Sequence, residues 1–157
     1  MRVFCESLKF IRRMENIELK SKDIPGGYAL CFNSDCDNKE KCMHYQAQLV
    51  AEERDKGSAV YPTAWKDGKC RCYSEKKLVK KAWGFSQLYR NLPTYLRAEA
   101  RRSVSALFGS GNGQYYRAHN GEIMISPKRQ KEIMEVLAKF GNNDVKFDHY
   151  VVAWDFD

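Results

Sequence analysis

No apolar run in this chain of 157 residues approaches the roughly 20 that a membrane-spanning helix needs. The opening stretch, MRVFCESLKFIRRMENIELK, carries charge throughout and lacks the continuous apolar centre of a secretion signal. A cytoplasmic protein that does not engage a membrane is expected. Catalytic motifs are also missing. Histidine occurs only at His44, His119 and His149, and there is no Walker phosphate loop, nucleophile elbow or HExxH pair. Gly109–Gly113 is glycine-rich, but no strand leads into it and no GK[ST] follows. Asp148-His149-Tyr150 with Asp155 could form an acid/base pair, although a terminal strand with polar residues facing solvent accounts for it more simply. Groups for acid–base or nucleophilic work do not converge, so a non-enzymatic function is expected. Internal repeats and low-complexity tracts are absent too.

The composition is that of a folded protein. Hydrophobic residues make up 43%, and aromatics, at 13%, are too frequent for a disordered chain. The length suits one domain, 1–157, read as an N-terminal extension (1–27), a metal-knuckle half (28–90) and a helical half (91–157). The net charge of +7 favours polyanionic partners. It is unevenly spread. Residues 66–90 hold eight basic against two acidic side chains and 97–131 hold seven against two, while 142–157 hold four Asp against Lys146.

Six cysteines are present. In a cytoplasmic chain, clustered cysteines read as metal ligands or redox groups, because structural disulfides are rare there. The pattern is Cys31-x4-Cys36-x5-Cys42, followed by Cys70-x-Cys72. Three thiols near one turn and another on a later turn suit tetrahedral zinc. Cys36 lies in a turn-rich run, Asn33–Asn38. Cys42 is expected in the first turns of a helix, where the dipole favours a thiolate. Cys70 and Cys72 compete for the fourth position, with His44 as a further candidate. A [4Fe–4S] cluster is the alternative occupant, although the compact CxxCxxC run is absent. Cys5 reads as a plain buried thiol.

Helices are predicted over Asn38–Arg54, over Glu75–Arg90 (Leu78, Ala82, Phe85 and Tyr89 on one side) and from Thr94, as N-cap, through Phe108. Gln114–Asn120 is a shorter candidate. Ser126-Pro127 marks the start of a further helix carrying Ile133, Val136, Leu137 and Phe140, ended by Gly141. Val3, Cys5 and Leu8 fit a short strand or a helix. Pro25-Gly26-Gly27 is a turn, Ala59–Trp65 is extended, Lys66-Asp67-Gly68-Lys69 is a turn that delivers Cys70 and Cys72, and Val145–Phe156 contains a terminal strand.

The expected fold is therefore mainly α, with room for a small α+β element. A cysteine-rich metal knuckle would join a helical bundle, the ion fixing the Asn38–Arg54 helix against the Glu75–Arg90 helix. The C-terminal order of helix, glycine turn, short helix and helix resembles a helix-turn-helix, with Gln114–Asn120 as recognition helix. Arg101, Arg102, Gln114, Tyr116, Arg117, His119, Lys128 and Arg129 would then form the surface for DNA or RNA. A metal-stabilised protein-interaction module is the alternative, and an iron–sulfur or redox protein a second one.

Several motifs can be grouped: Cys31-Phe32-Asn33 with Cys36 and Cys42, Val60-Tyr61-Pro62, Gly68-Lys69-Cys70, Ala82-Trp83-Gly84-Phe85, Phe108-Gly109, Tyr115-Tyr116-Arg117, Gly121-Glu122 and Phe147-Asp148-x-Tyr150. Together they resemble an uncharacterised domain family of gut bacteria of the Bacteroidales, over roughly residues 28–156. The resemblance implies no activity. It implies that Cys31, Cys36, Cys42 and Cys70 are the shared set and that Cys72 is a departure.

Overall fold

The computed structural model of the protein describes residues 17–51 and 54–157. Expectations for Val3, Cys5 and Leu8, and for most of the 1–27 extension, lie outside them, as does the 52–53 step of the first predicted helix. The chain forms two compact units: residues through Leu78 together with Trp154–Asp157, and Val79–Ala153.

In the first unit, Gly27 (φ 79°) completes a turn in which the Tyr28 N–H donates to the Pro25 carbonyl. Leu30 then bridges Ala59 in parallel. Helix α1, Met43–Val50, begins later than predicted. Lys39–Lys41 forms a 3-10 turn, and Cys42 is extended because it bridges Glu75. That tertiary pairing takes the backbone hydrogen bonds an earlier helical start would have used. Strands β1 (Trp65–Lys66) and β2 (Lys69–Cys70) pair antiparallel, with Trp65 opposite Cys70 and Lys66 opposite Lys69. The two-residue loop Asp67-Gly68 has φ of 53° and 74°. Two consecutive positive values define the type I′ turn that Asp-Gly favours, since its twist matches that of the strands. A small core of Ile24, Leu30 and Ala47 carries Tyr28 and Val50 against it.

In the second unit, β3 (Leu78–Trp83) pairs with β4 (His149–Trp154). Helix α2 (Thr94–Ala106) packs on α4 (Pro127–Ala138), and α3 (Gly113–His119) lies between them in sequence. The Ser126 side chain accepts the Arg129 N–H at 3.4 Å, the cap its sequence predicts. Gly141 (φ 84°) ends α4. Pro93, without a side-chain cap bond, precedes α2 where Thr94 was expected. The core gathers Phe85, Leu88, Tyr115, Ile133, Leu137 and Phe147.

These elements overturn the mainly α reading. The fold is α+β, with four helices and two two-stranded sheets among the described residues. The predicted Glu75–Arg90 helix is strand β3 followed by turns. Leu78, Ala82, Phe85 and Tyr89 do keep a helical spacing, but tertiary pairing decides. Trp83 stacks on His149 of β4, ring centroids 3.8 Å apart, and the Lys80 ammonium sits 4.3 Å from the Tyr150 ring. Ala82 exchanges two backbone hydrogen bonds with Ile125. Gly84 (φ 84°) then turns the chain out of any helical path. The helix-turn-helix-like unit is also overturned. α3 buries Tyr115 and Ala118 in a core shared with the strand segment, so it is not a recognition helix displayed on a bundle. A metal knuckle is not part of the fold: among the described residues, no group of three or more His, Cys, Asp or Glu is placed to hold an ion.

Candidate functional sites: a basic cleft and a thiol-lined cavity

The second unit contains a cleft of about 540 Å³. The segment that follows Gly84 lines it. There the chain turns sharply, and the Asp148 carboxylate accepts the backbone N–H groups of Ser86 (2.8 Å) and Gln87 (3.0 Å). Asp148 is thus a structural acceptor and not half of an acid/base pair, while His149 is occupied by Trp83. The tightened turn presents Arg90, whose guanidinium donates to the Gln87 side chain at 3.1 Å. Arg97 and Arg101 are one turn apart on α2 and both line the cleft. Arg97 is tied down by the Leu92 carbonyl (2.9 Å) and the Arg90 carbonyl (3.1 Å). Arg101 lies over the Tyr89 ring at 5.6 Å, a cation–π placement.

Aromatic and imidazole groups complete the cleft. Tyr89 and Tyr115 share a hydroxyl–hydroxyl hydrogen bond of 3.1 Å. Burial, and for Tyr89 also this bond, pushes its hydroxyl pKa up; burial raises that of Tyr115 too, so the pair stays neutral and retains a hydroxyl donor. His119 accepts the Phe85 N–H on Nδ1 at 3.1 Å, which assigns the neutral ring's proton to Nε2. Tyr116 is half exposed and stands edge-on to Tyr115. No Asp or Glu occurs among the described residues lining the cleft.

The eight residues expected to contact nucleic acid are divided by the structure. Arg101, Tyr116 and His119 share the cleft, and Arg102 lines a smaller adjoining hollow with Arg101 and Tyr116. Arg117 is paired with Glu122 at 3.2 Å and Arg129 with Glu132 at 2.7 Å. Gln114 and Arg129 border a separate hollow beside Phe108, and Lys128 is exposed on α4. Sequence reasoning missed Arg90, Arg97 and Gln87. Arg97 and Arg101, four apart on a predicted helix, were a readable signal, whereas Arg90 depends on the turn that follows Gly84.

The first unit holds a cavity of about 450 Å³. Cys31, Cys36, Cys42 and Cys70 all line it, and Cys72 does not; Cys72 is exposed on the next turn. The Cys31 N–H is fixed by the His44 carbonyl (3.0 Å), and the Asp67-Gly68 hairpin carries Cys70. His44 is engaged elsewhere: Nδ1 bonds the Ala29 carbonyl at 2.6 Å and the ring stacks on Tyr28. Burial pushes the Cys70 thiol pKa up, a Cys72 backbone hydrogen bond opposes this, and Cys72, Cys42 and Cys31 add to it electrostatically. The four cysteines border one open space and are not gathered into an ion site among the described residues. A closed four-thiolate site, with bonds of about 2.3 Å to one ion, leaves no such space between its ligands. Phe32, Tyr61, Trp65 and Tyr73 line the rest of the cavity and are exposed.

The chain belongs to a family of unknown function, DUF6078, whose model matches residues 14–156. No curated protein and no solved structure matches it.

Proposed function

We propose that this member of DUF6078 binds nucleic acid through the basic cleft of its second unit. The observation that carries the reading is the convergence of Arg90, Arg97 and Arg101 in one cleft with no Asp or Glu among its described lining residues. Guanidinium groups held by carbonyls and an aromatic ring are pre-oriented for phosphate, and less rotamer freedom is lost on binding. Neighbouring tyrosines offer faces for bases. Three phosphate contacts predict a salt slope of about −2 to −2.7, so affinity should fall roughly 20- to 40-fold between 50 and 200 mM salt. Fluorescence anisotropy with a labelled oligonucleotide measures this. Arg101→Ala should weaken binding and flatten the slope by about one contact. Binding that ignores salt, or is unchanged in Arg101→Ala, would overturn the reading.

A second reading concerns the first unit and rests on the four cysteines that line one cavity. We propose that zinc stabilises this unit when these thiols draw together around it. The expected result is about one zinc per chain by elemental analysis, and a lower unfolding temperature after chelation or in Cys36→Ser. About four irons per chain would assign a [4Fe–4S] cluster in its place. Metal-free protein that unfolds at the same temperature with and without added zinc would sink both.

A further inference from the structure

Resting on the nucleic-acid reading of the cleft, we infer that its ligand is a single strand, one base of which is seated against Tyr116 while successive phosphates are met by Arg90, Arg97 and Arg101. The size of the site favours this. A concave space of about 540 Å³ falls within the range of small-ligand pockets, so it takes one base with its flanking phosphates and not a duplex surface. Reading a duplex would require an element that enters a major groove about 12 Å wide. Of the two helices that line the cleft, α2 has Arg97 held by two backbone carbonyls, while α3 has seven residues, buries Tyr115 and Ala118, and has the His119 ring bonded to the Phe85 backbone. The exposed residues of α3 span fewer than two turns, and one of them, Arg117, is paired with Glu122. A strand with unstacked bases meets the cleft's chemistry directly. Tyr116 has 50% of its surface open and its neighbour Tyr115 fixed edge-on, so its ring is held in place while remaining reachable. His119 Nε2–H and the Tyr89–Tyr115 hydroxyl pair add neutral donors beside the guanidinium groups. Such donors suit the sugar and phosphate oxygens of a bent backbone. Stacking tolerates every base, so weak sequence preference is expected.

Anisotropy measurements on the full chain at low salt test this with three probes: a short fluorescein-labelled oligothymidylate, a labelled duplex of equal length, and unlabelled thymidine monophosphate as competitor. The single strand should bind at least about 10-fold tighter than the duplex. Tyr116→Ala should weaken single-strand binding between about 5- and 150-fold, the span of base–aromatic stacking, and Tyr116→Phe should restore it. Circular dichroism of both variants should match the parent protein. Equal affinity for duplex and single strand, or no loss in Tyr116→Ala, would overturn the single-strand inference while leaving nucleic-acid binding intact. Competition by thymidine monophosphate at the oligomer's own affinity would also overturn it, assigning the cleft to free nucleotides. Absence of salt-dependent binding to either oligonucleotide would remove the underlying reading and this inference with it.

Discussion

Phe85→Ala should lower the free energy of unfolding by about 3–5 kcal/mol, measured by urea denaturation followed by tryptophan fluorescence. Phe85 is only 2% exposed, and its ring is ringed by others: Tyr115 at 5.0 Å, Phe108 at 5.9 Å, His119 at 6.0 Å and Phe147 at 6.3 Å between centroids. Those partners come from α3, from the end of α2 and from the segment before β4. Truncation therefore opens a cavity where three parts of the unit meet, and none can close it without moving the others. The same residue donates its N–H to His119 and begins the turn that carries Gln87 and Arg90 into the cleft. Oligonucleotide binding should thus fall together with stability. Tyr95→Ala is the matched control. That ring is 81% exposed on the first turn of α2, and its loss should change stability by no more than about 0.5 kcal/mol. A cost below about 1 kcal/mol for Phe85→Ala would mean that the core is not assembled around this ring.

Local signals in the sequence were legible where a single residue type meets a single backbone requirement. Lys66-Asp67-Gly68-Lys69 was legible as a turn because few pairs other than Asp-Gly tolerate two positive φ values in succession, although the strand pairing it closes was not expected. Ser126-Pro127 predicted the start of α4 because the serine oxygen satisfies an otherwise orphaned N–H and the proline has none to satisfy. Strand β3 was hidden for the opposite reason. Its apolar spacing is compatible with a helix, and the partners that decide the matter, Ile125 and His149, are distant in sequence. Cysteine spacing had an intermediate value. It predicted which loops approach one another, and the structure places those four thiols around one cavity. Spacing carries no information on how closely they approach, and among the described residues they do not form an ion site. The basic surface was legible as a charge excess over 66–131, but not as a cleft. Arg117 pairs with Glu122 and Arg129 with Glu132, and only the fold shows which arginines share a cleft.

Gly84→Ala should cost about 2–5 kcal/mol, through two separable effects. Gly84 has φ of 84°, a conformation an alanine adopts only with strain. A Cβ built there would also lie 2.6 Å from the Asp148 Cβ and 2.7 Å from its Oδ2. The neighbour cannot simply yield. Asp148 accepts two backbone N–H groups, from Ser86 and Gln87, and its own N–H donates to the Gly84 carbonyl at 3.1 Å. Displacing it releases the turn that supplies Gln87 and Arg90. Faster hydrogen exchange at Ser86 and Gln87 should therefore accompany the loss of stability. A double-mutant cycle separates the two effects. In the Asp148→Gly background the obstructing side chain is absent, so Gly84→Ala should then cost only the backbone strain, about 1–2 kcal/mol. The coupling between the two sites should be at least about 1 kcal/mol. Strict additivity would show that strain at residue 84 acts alone and that Asp148 does not hold the segment that lines the cleft. The cycle thus connects one glycine to the position of an arginine six residues later, the step by which this sequence builds a basic cleft after a strand.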